Sequence, residues 1–124
     1  MSFKILIEDA LRELKNIGGI EASAVVTRDG LLVASDISSS VDAETFAAMS
    51  ASMVGAAETA MSEVKGGDPT RVIVEGGRLK MVSVGAGPAA LLVVLADNVV
   101  PLGLVLLKMG DTARKISGLV ELVR

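Results

Sequence analysis

One run of eight consecutive apolar residues restricts the possible folds of this chain more than any other segment. It spans Ala89 to Ala96, reads AALLVVLA, and lacks the apolar–polar alternation of a strand with one solvated face. A strand that is apolar on both sides is buried on both sides, under helices above and below its sheet. The run therefore predicts a central strand in a sheet that carries helices on both faces.

The patterns around this strand predict the remaining elements. Helical periods, strand-like runs and turns alternate along the chain in the order helix, two strands, helix, three strands, helix. The 124 residues suit a single domain, residues 1–124. The predicted fold class is α+β, a five-stranded antiparallel sheet with helices on both faces, in the order α-β-β-α-β-β-β-α. The predicted bounds are helices at about Ser2–Ile17, within Ser40–Lys65 and from about Pro101, and strands at Ala22–Thr27, Leu31–Ser35, Thr70–Glu75, Arg78–Val84 and Ala89–Ala96.

The third and fourth strands are predicted to form a tight hairpin. Gly76-Gly77 lies between them and suits a two-residue turn. Such a turn places Glu75 opposite Arg78, and Val74 opposite Leu79. The charged pair would then stabilise the hairpin by at most about 1 kcal/mol.

The segment Ser40–Lys65 is predicted to form one long helix, rich in alanine, serine and methionine, with Ser40 as its N-cap. Its apolar positions cover close to half of the circumference, more than the roughly 100° that packing on one surface requires. The apolar side next to the sheet-facing stripe has no evident partner within the chain. Either a second molecule covers that side, or the helix is an alanine-rich core helix without exposed apolar surface. The stripe expected on the sheet is Phe46, Met49, Met53, Ala57 and Ala60.

The chain lacks most of the side chains that enzymes use. Histidine, cysteine, tyrosine and tryptophan are all absent, which removes the commonest general bases, thiol nucleophiles and transition-metal ligands. The glycine clusters at residues 76–77 and 85–87 lead into strands, which favours turns over phosphate-binding loops. We therefore predict no enzymatic activity, no cofactor and no metal site.

Charge and hydropathy limit the partners and the location. A net charge of −3 and only two aromatic residues argue against binding of nucleic acid. The apolar stretch 89–107 is broken by Asp97, Asn98 and Pro101, which argues against a membrane span. Glu8 and Asp9 come too early for the apolar part of a secretory signal, so a cytoplasmic location is expected.

Four motifs occur in a characteristic order along nearly the whole chain. They are GGIEASAVVTRDGLLVAS at 18–35, the alanine- and serine-rich helix Ala43–Val64, RVIVEGGRLKMVSVG followed by AALLVVL, and PLGLVLLKMGDTARKI at 101–116. In order and spacing they resemble the roadblock family of dynein light chains and of bacterial and archaeal small-GTPase regulators. The resemblance implies a roadblock/profilin-like fold.

The resemblance also implies a partner, either a second copy of the chain or a paralogue. In that family two sheets join edge to edge through the third strand, and the two middle helices lie alongside each other. An arginine at Val54 is then expected to weaken the dimer without unfolding the domain. The matching edge is Arg71, Val72, Ile73, Val74 and Glu75, and the matching helix positions are Ala47, Ala51, Val54 and Met61.

A Ras-like GTPase often docks on or near the two-helix surface in that family. The matching candidates here are Glu44, Thr59 and Ser62, on the remaining surface of the long helix. The leading hypothesis is a non-enzymatic dimeric platform that binds or regulates a small GTPase. One alternative is a structural light chain or assembly adaptor that binds a larger protein. A small-molecule sensor is a third, although the chain has almost none of the aromatic or titratable residues that line such pockets.

Overall fold

The computed structural model of the chain describes residues 2–37 and 40–122. Its elements follow in the predicted order, which confirms the α+β class and the α-β-β-α-β-β-β-α arrangement. A short 3-10 turn, Lys15–Ile17, extends the first helix. The helices are α1 (Phe3–Leu14), α2 (Ala43–Glu63) and α3 (Leu102–Leu122), and the strands are β1 (Ile20–Thr27), β2 (Leu32–Ile37), β3 (Arg71–Glu75), β4 (Leu79–Gly85) and β5 (Ala90–Asp97).

The five strands form one antiparallel sheet in the order β2-β1-β5-β4-β3. The apolar run is strand β5, which lies at the centre as predicted. Its residues from Leu91 to Val94 are buried on both faces. Strands β2 and β3 are the two edges.

Helices cover the two faces of the sheet unequally. Helices α1 and α3 pack together over one face, where Ile7, Leu11, Met109 and Ile116 are fully buried. Helix α2 lies alone on the other face, in contact with β1 and β2. Among the described residues, no helix covers the half of this second face that β4 and β3 form. No helix in residues 2–37 and 40–122 is long and apolar enough to cross a membrane.

The predicted register of the β3–β4 hairpin is wrong by two residues. Glu75 pairs with Lys80 and Val74 with Met81, instead of with Arg78 and Leu79. The turn is displaced by one residue, because the Gly76 N–H donates to the Leu79 carbonyl at 2.8 Å and Gly77 and Arg78 then lie between the paired residues. Arg78 is thereby released from Glu75 and pairs with Glu21 on β1, at 3.0 Å.

Helix α2 begins at a different cap from the one predicted. Asp42, and not Ser40, precedes its first turn, and the Asp42 Oδ1 accepts the N–H groups of Glu44 and Thr45 at 3.1 and 3.2 Å. The Thr45 hydroxyl donates to the Asp42 Oδ2 at 3.0 Å. The backbone N–H and then the hydroxyl of Thr45 hold the pKa of the Asp42 carboxyl below its usual value of 3.8.

This cap predicts a pH-dependent contribution to stability. A lowered folded-state pKa means that the ionised cap stabilises the domain above about pH 4, and that this gain is lost as the pH falls through the folded-state value. We expect Asp42→Ala to lower the melting temperature by a few degrees at pH 7, and Asp42→Asn to lower it by less, since asparagine also caps well. The difference between the native chain and Asp42→Asn should shrink below about pH 4, as followed by circular dichroism. A difference that does not vary with pH would contradict the role of the charge.

Candidate protein-interaction surface

Four residues of α2 are buried within the single chain: Ala47, Ser50, Ala51 and Val54. Ala47 and Val54 pack against a buried group on the sheet that includes Leu91 and Val93. Three of these four residues were expected to meet a second molecule. Ala47 and Val54 lie against the sheet and Ala51 lies beside Gly30 in the β1–β2 turn, so the face expected to meet a second molecule is wrong for these three residues. Met61, the remaining predicted contact, is half-buried.

The close approach of α2 to the sheet explains this arrangement. At Gly30, in the β1–β2 turn, an added Cβ would lie 3.3 Å from the Cα of Ala48. Only small side chains fit beside this turn, because protein interiors are close-packed, and Ala48 and Ala51 lie there. Over the sheet itself Val54 is buried as well, and Phe46 and Met53 pack at the margin of the same group.

The larger apolar side chains of α2 lie along one flank of the helix. Met49 is 59% exposed and Met53 is half-buried, although both were expected to lie under the helix on the sheet. Ala56 and Ala60 continue the stripe at helical spacing, and both are exposed. We call these four residues the α2 flank: Met49, Met53, Ala56 and Ala60.

Contacts on the opposite side of α2 show which way the flank faces. There the Arg28 Nη1 pairs with the Glu58 Oε2 at 3.2 Å, and Ala48 meets the β1–β2 turn. That side therefore faces the β2 edge, and the α2 flank faces β4 and β3. Arg28 also donates through its Nε to the Pro88 carbonyl at 3.0 Å, so it joins the hairpin, α2 and the β4–β5 loop.

The uncovered part of the sheet presents apolar side chains on the same face. Val72 and Val74 on β3 alternate with residues that point to the other face, and Val74 is 44% exposed. Met81 pairs with both Val74 and Leu95 across the sheet. All of these side chains except Val74 are half-buried. We call these four residues the open sheet face: Val72, Val74, Met81 and Leu95.

The α2 flank and the open sheet face adjoin. Phe46 and Met53 from the helix and Val72 and Met81 from the sheet all pack against the same buried group. The result is one continuous apolar surface that ends at the unpaired edge of β3. Contiguous exposed apolar patches on soluble proteins mark interaction sites, and an unpaired strand edge is a template for pairing. We call the α2 flank, the open sheet face and the β3 edge together the interaction surface.

The other predicted site residues are distributed on both sides of this surface. Ile73 points to the opposite face of the sheet, where it packs against the core under α1 and α3. Arg71 and Glu75 flank it on that face, and both are exposed. Glu44, Thr59 and Ser62 are exposed on the side of α2 turned away from the flank, so the structure does not bring them into the interaction surface.

The outward position of Met49, Ala56 and Ala60 does not follow from the hydrophobic period of α2. A stripe of small residues at 47, 50, 51 and 54 could have indicated the close-packed side. In the part of the chain that the structure describes, no group of three or more acidic side chains is placed to hold a metal ion. The interaction surface offers apolar area, three thioether sulfurs and backbone donors and acceptors, which are groups that bind another protein chain.

Comparison with known proteins identifies the class to which this fold and surface belong. The family model described as the Roadblock/LC7 domain matches residues 6–96. The uncharacterized protein MJ1340 of Methanocaldococcus jannaschii is 40% identical over 114 residues, which cover 92% of this chain and 99% of that protein. The chain belongs to the Roadblock/LC7 domain family.

Solved structures agree with this assignment at the level of the fold. MglB of Myxococcus xanthus superposes with a TM-score of 0.91 at 21% identity, covering 99% of this chain and 92% of that one. A structure described as MglB with tetrameric arrangement gives a TM-score of 0.86 at 24% identity, with 98% and 92% covered. The predicted roadblock fold is thus confirmed.

Proposed function

We propose that this protein is a non-enzymatic roadblock platform, in which two copies join through the interaction surface and the pair binds or regulates a Ras-like small GTPase. The observation that carries the proposal is the continuous apolar surface from Met49 to the edge of β3. Isolated in water, this surface would be an aggregation hazard. A second copy of the chain can cover it, because helix flank would meet helix flank and strand edge would meet strand edge.

Two-fold symmetry suits this geometry. Most soluble oligomers are symmetric homodimers, whose interface uses the same patch on both subunits. An edge-to-edge join through β3 would continue the sheet into a second copy and satisfy the backbone groups of both edges. The adjoining α2 flanks would then bury Met49 and Met53, whose flexible side chains pack well at protein interfaces.

The GTPase part of the proposal rests on membership in the family and on the exposed side of α2. Joining two copies leaves the outward side of each α2 free, including Glu44, Thr59 and Ser62. Two such helices side by side form a broad surface without titratable groups suited to catalysis. The pair would therefore act on a bound GTPase by stabilising one of the conformations of the GTPase. It would not supply a reacting side chain.

A binding assay tests the GTPase part. Immobilised protein is presented with small GTPases encoded in the same genome, each loaded with GDP or with a non-hydrolysable GTP analogue. We expect one of them to bind preferentially in one nucleotide state, and its rate of GTP hydrolysis is then measured with and without the platform. Binding that ignores the nucleotide, or binding only of other proteins, would favour an assembly adaptor and contradict GTPase regulation.

A further inference from the structure

A cavity of about 380 Å³ lies between α3 and the side of the sheet formed by β3 and β4. Its walls come from the start of β3, the end of β4, the β4–β5 loop and the middle of α3. It opens on the face of the sheet that α1 and α3 cover, and the interaction surface lies on the opposite face. Cavities that bind small molecules typically have volumes of about 300–1,000 Å³, so this one has room for a small ligand.

The charged side chains that line this cavity are all positive. They are Arg71 at the start of β3 and Arg114 on α3, and none of the described residues in its wall is an aspartate or a glutamate. Two neighbouring clefts differ, because Glu13 and Lys115 line both of them. The chain as a whole carries a net charge of −3. A locally positive cavity on an acidic protein therefore indicates a place where an anion can bind.

Both guanidinium groups retain N–H donors for a ligand. Within residues 2–37 and 40–122, Arg71 forms no ion pair. Arg114 pairs with Asp111 through its Nη2, but both of these side chains are more than half exposed, and such an exposed pair is weak. A guanidinium presents five N–H donors in a planar fork that matches the oxygens of a phosphate or a carboxylate.

Two hydroxyl groups beside the arginines form no hydrogen bond in the described part of the chain. They belong to Thr70, next to Arg71, and to Ser117, one turn after Arg114 on α3. A helical serine often donates to the carbonyl of the preceding turn, as Ser52 does on α2 at 3.0 Å. Ser117 does not, so its hydroxyl can donate to a ligand in the cavity.

Three glycines keep the cavity open: Gly85, Gly87 and Gly110. Gly87 has a φ of +93°, and a Cβ added there would lie 3.2 Å from the Ser117 Oγ. A Cβ added at Gly110 would lie 3.7 Å from the Arg114 Nη1. Side chains at these positions would occupy the space next to the hydroxyl and the guanidinium, whereas glycine lets a backbone approach a ligand closely.

Apolar side chains complete the wall. Val84, Leu106 and Ala113 line the rest of the cavity. An inorganic ion would leave this apolar surface in water, whereas the carbon part of an organic ligand would cover it. A phosphate monoester carries about 1.5 to 2 negative charges at pH 7, which suits two guanidinium groups, while a carboxylate carries one.

We propose that this cavity binds the phosphate group of a small, soluble organic phosphate monoester. Arg71 holds the phosphate oxygens from β3, and Arg114 holds them from α3. The hydroxyls of Thr70 and Ser117 donate hydrogen bonds to the same group, and the organic part lies against the apolar wall. The site is distinct from the interaction surface, so two joined copies would carry two such sites.

Phenyl phosphate tests the site, because its phosphate is a monoester and its ring can lie against the apolar wall. The full chain is isotope-labelled, titrated with this compound and followed by NMR. We expect the amide signals of Gly85, Gly87 and Ser117 to shift along one saturating curve, with a dissociation constant on the order of 1 mM for so small a ligand. Phenyl sulfate has the same ring but a single charge, and inorganic phosphate lacks the ring. Each should bind at least about threefold more weakly than phenyl phosphate.

Substitutions locate the binding. Arg71→Gln and Arg114→Gln should each raise the dissociation constant at least about tenfold, since each removes charge-assisted hydrogen bonds. Arg71→Lys should recover only part of the affinity, because an ammonium lacks the planar fork. Arg12→Gln is the matched control, since Arg12 is an exposed arginine on α1 outside the cavity, and this variant should bind as the native chain does. Circular dichroism and sedimentation check that each variant keeps the fold and the association state of the native chain.

Two results would overturn the proposal. In the first, shifts spread over the exposed lysines and arginines without saturating, or Arg12→Gln weakens binding as much as Arg71→Gln does, and the contact is then general ion pairing. In the second, the chain binds vesicles that contain phosphatidic acid through both cavity arginines but does not bind phenyl phosphate, and the ligand is then a lipid headgroup. A monomeric native chain that binds phenyl phosphate as expected would contradict the two-copy platform and support this site.

Discussion

Arginine in place of Val54 is expected to unfold the domain, whereas arginine in place of Met49 is expected to leave it folded and to make it monomeric. Val54 is 6% exposed and packs between α2 and the sheet within one chain. A charge buried there without a counter-ion costs several kcal/mol, against a total stability of about 5–15 kcal/mol for a domain. This reverses the expectation drawn from the sequence, in which Val54→Arg spares the fold.

Met49 differs because its side chain is already in water in the single chain. An arginine there can remain solvated, so the free energy of unfolding should change by less than about 0.5 kcal/mol. In the dimer the two new charges would be desolvated together, and we expect association to weaken by at least about tenfold.

Two measurements and one control check this pair of changes. Thermal unfolding distinguishes Val54→Arg from Met49→Arg, and sedimentation at micromolar concentration compares Met49→Arg with the native chain. Leu107→Arg is the control, because Leu107 is 63% exposed on α3, away from the interaction surface. If Leu107→Arg disrupts association and Met49→Arg does not, the interaction surface has been placed on the wrong side of the molecule.

Alanine in place of Gly19 is expected to destabilise the domain by about 3 kcal/mol. Gly19 has a φ of +75°, and a Cβ there would lie 2.2 Å from the Cγ2 of Val100. Val100 cannot readily move away, since it is buried and its carbonyl accepts the Lys80 ammonium. The backbone strain and the overlap with Val100 therefore both lower the free energy of unfolding, and the two losses add.

Gly18 provides a matched control for this change. Its φ is +76°, but a Cβ added there meets nothing within 4 Å. Gly18→Ala should thus show the backbone strain alone, about 2 kcal/mol, since its φ of 76° and ψ of 148° lie in a region that essentially only glycine adopts. Adding Val100→Ala to Gly19→Ala should recover part of the loss in urea denaturation. Equal losses for Gly18→Ala and Gly19→Ala would show that the overlap with Val100 is relieved at no cost.

The fold could be predicted from the sequence because its main determinants are local patterns. The unbroken apolar run of β5 indicated a central strand, and the period of the C-terminal segment indicated α3. The predicted positions of helix caps and turns were less accurate, because more than one neighbouring residue suits each position. Ser40 and Asp42 both suit an N-cap, and only the three-dimensional path of the chain selects Asp42.

The side of α2 that meets the sheet could not be predicted from hydrophobicity. Methionine and phenylalanine rank above alanine as core residues, yet the close approach of α2 to the β1–β2 turn favours small side chains at Ala48 and Ala51. That approach depends on Gly30 in another element, which the pattern of α2 does not contain.

Polar contacts between residues far apart along the chain could likewise not be predicted from the sequence. Arg28 pairs with Glu58, which lies thirty residues away along the chain. The Arg78–Glu21 pair joins residues still further apart, 57 positions along the chain. The turn predicted at Gly76-Gly77 is displaced by one residue, and Arg78 in the observed turn reaches Glu21.

The unequal cover of the two sheet faces has a consequence for how this protein responds to its own abundance. One face is covered by two helices of the same chain, while in the proposed platform the other face is completed only when two copies meet. Folding and association are then linked by mass action, so dilution lowers the apparent melting temperature and higher expression raises it. The amount of the chain in the cell would thus set both how many platforms exist and how long each copy survives proteolysis.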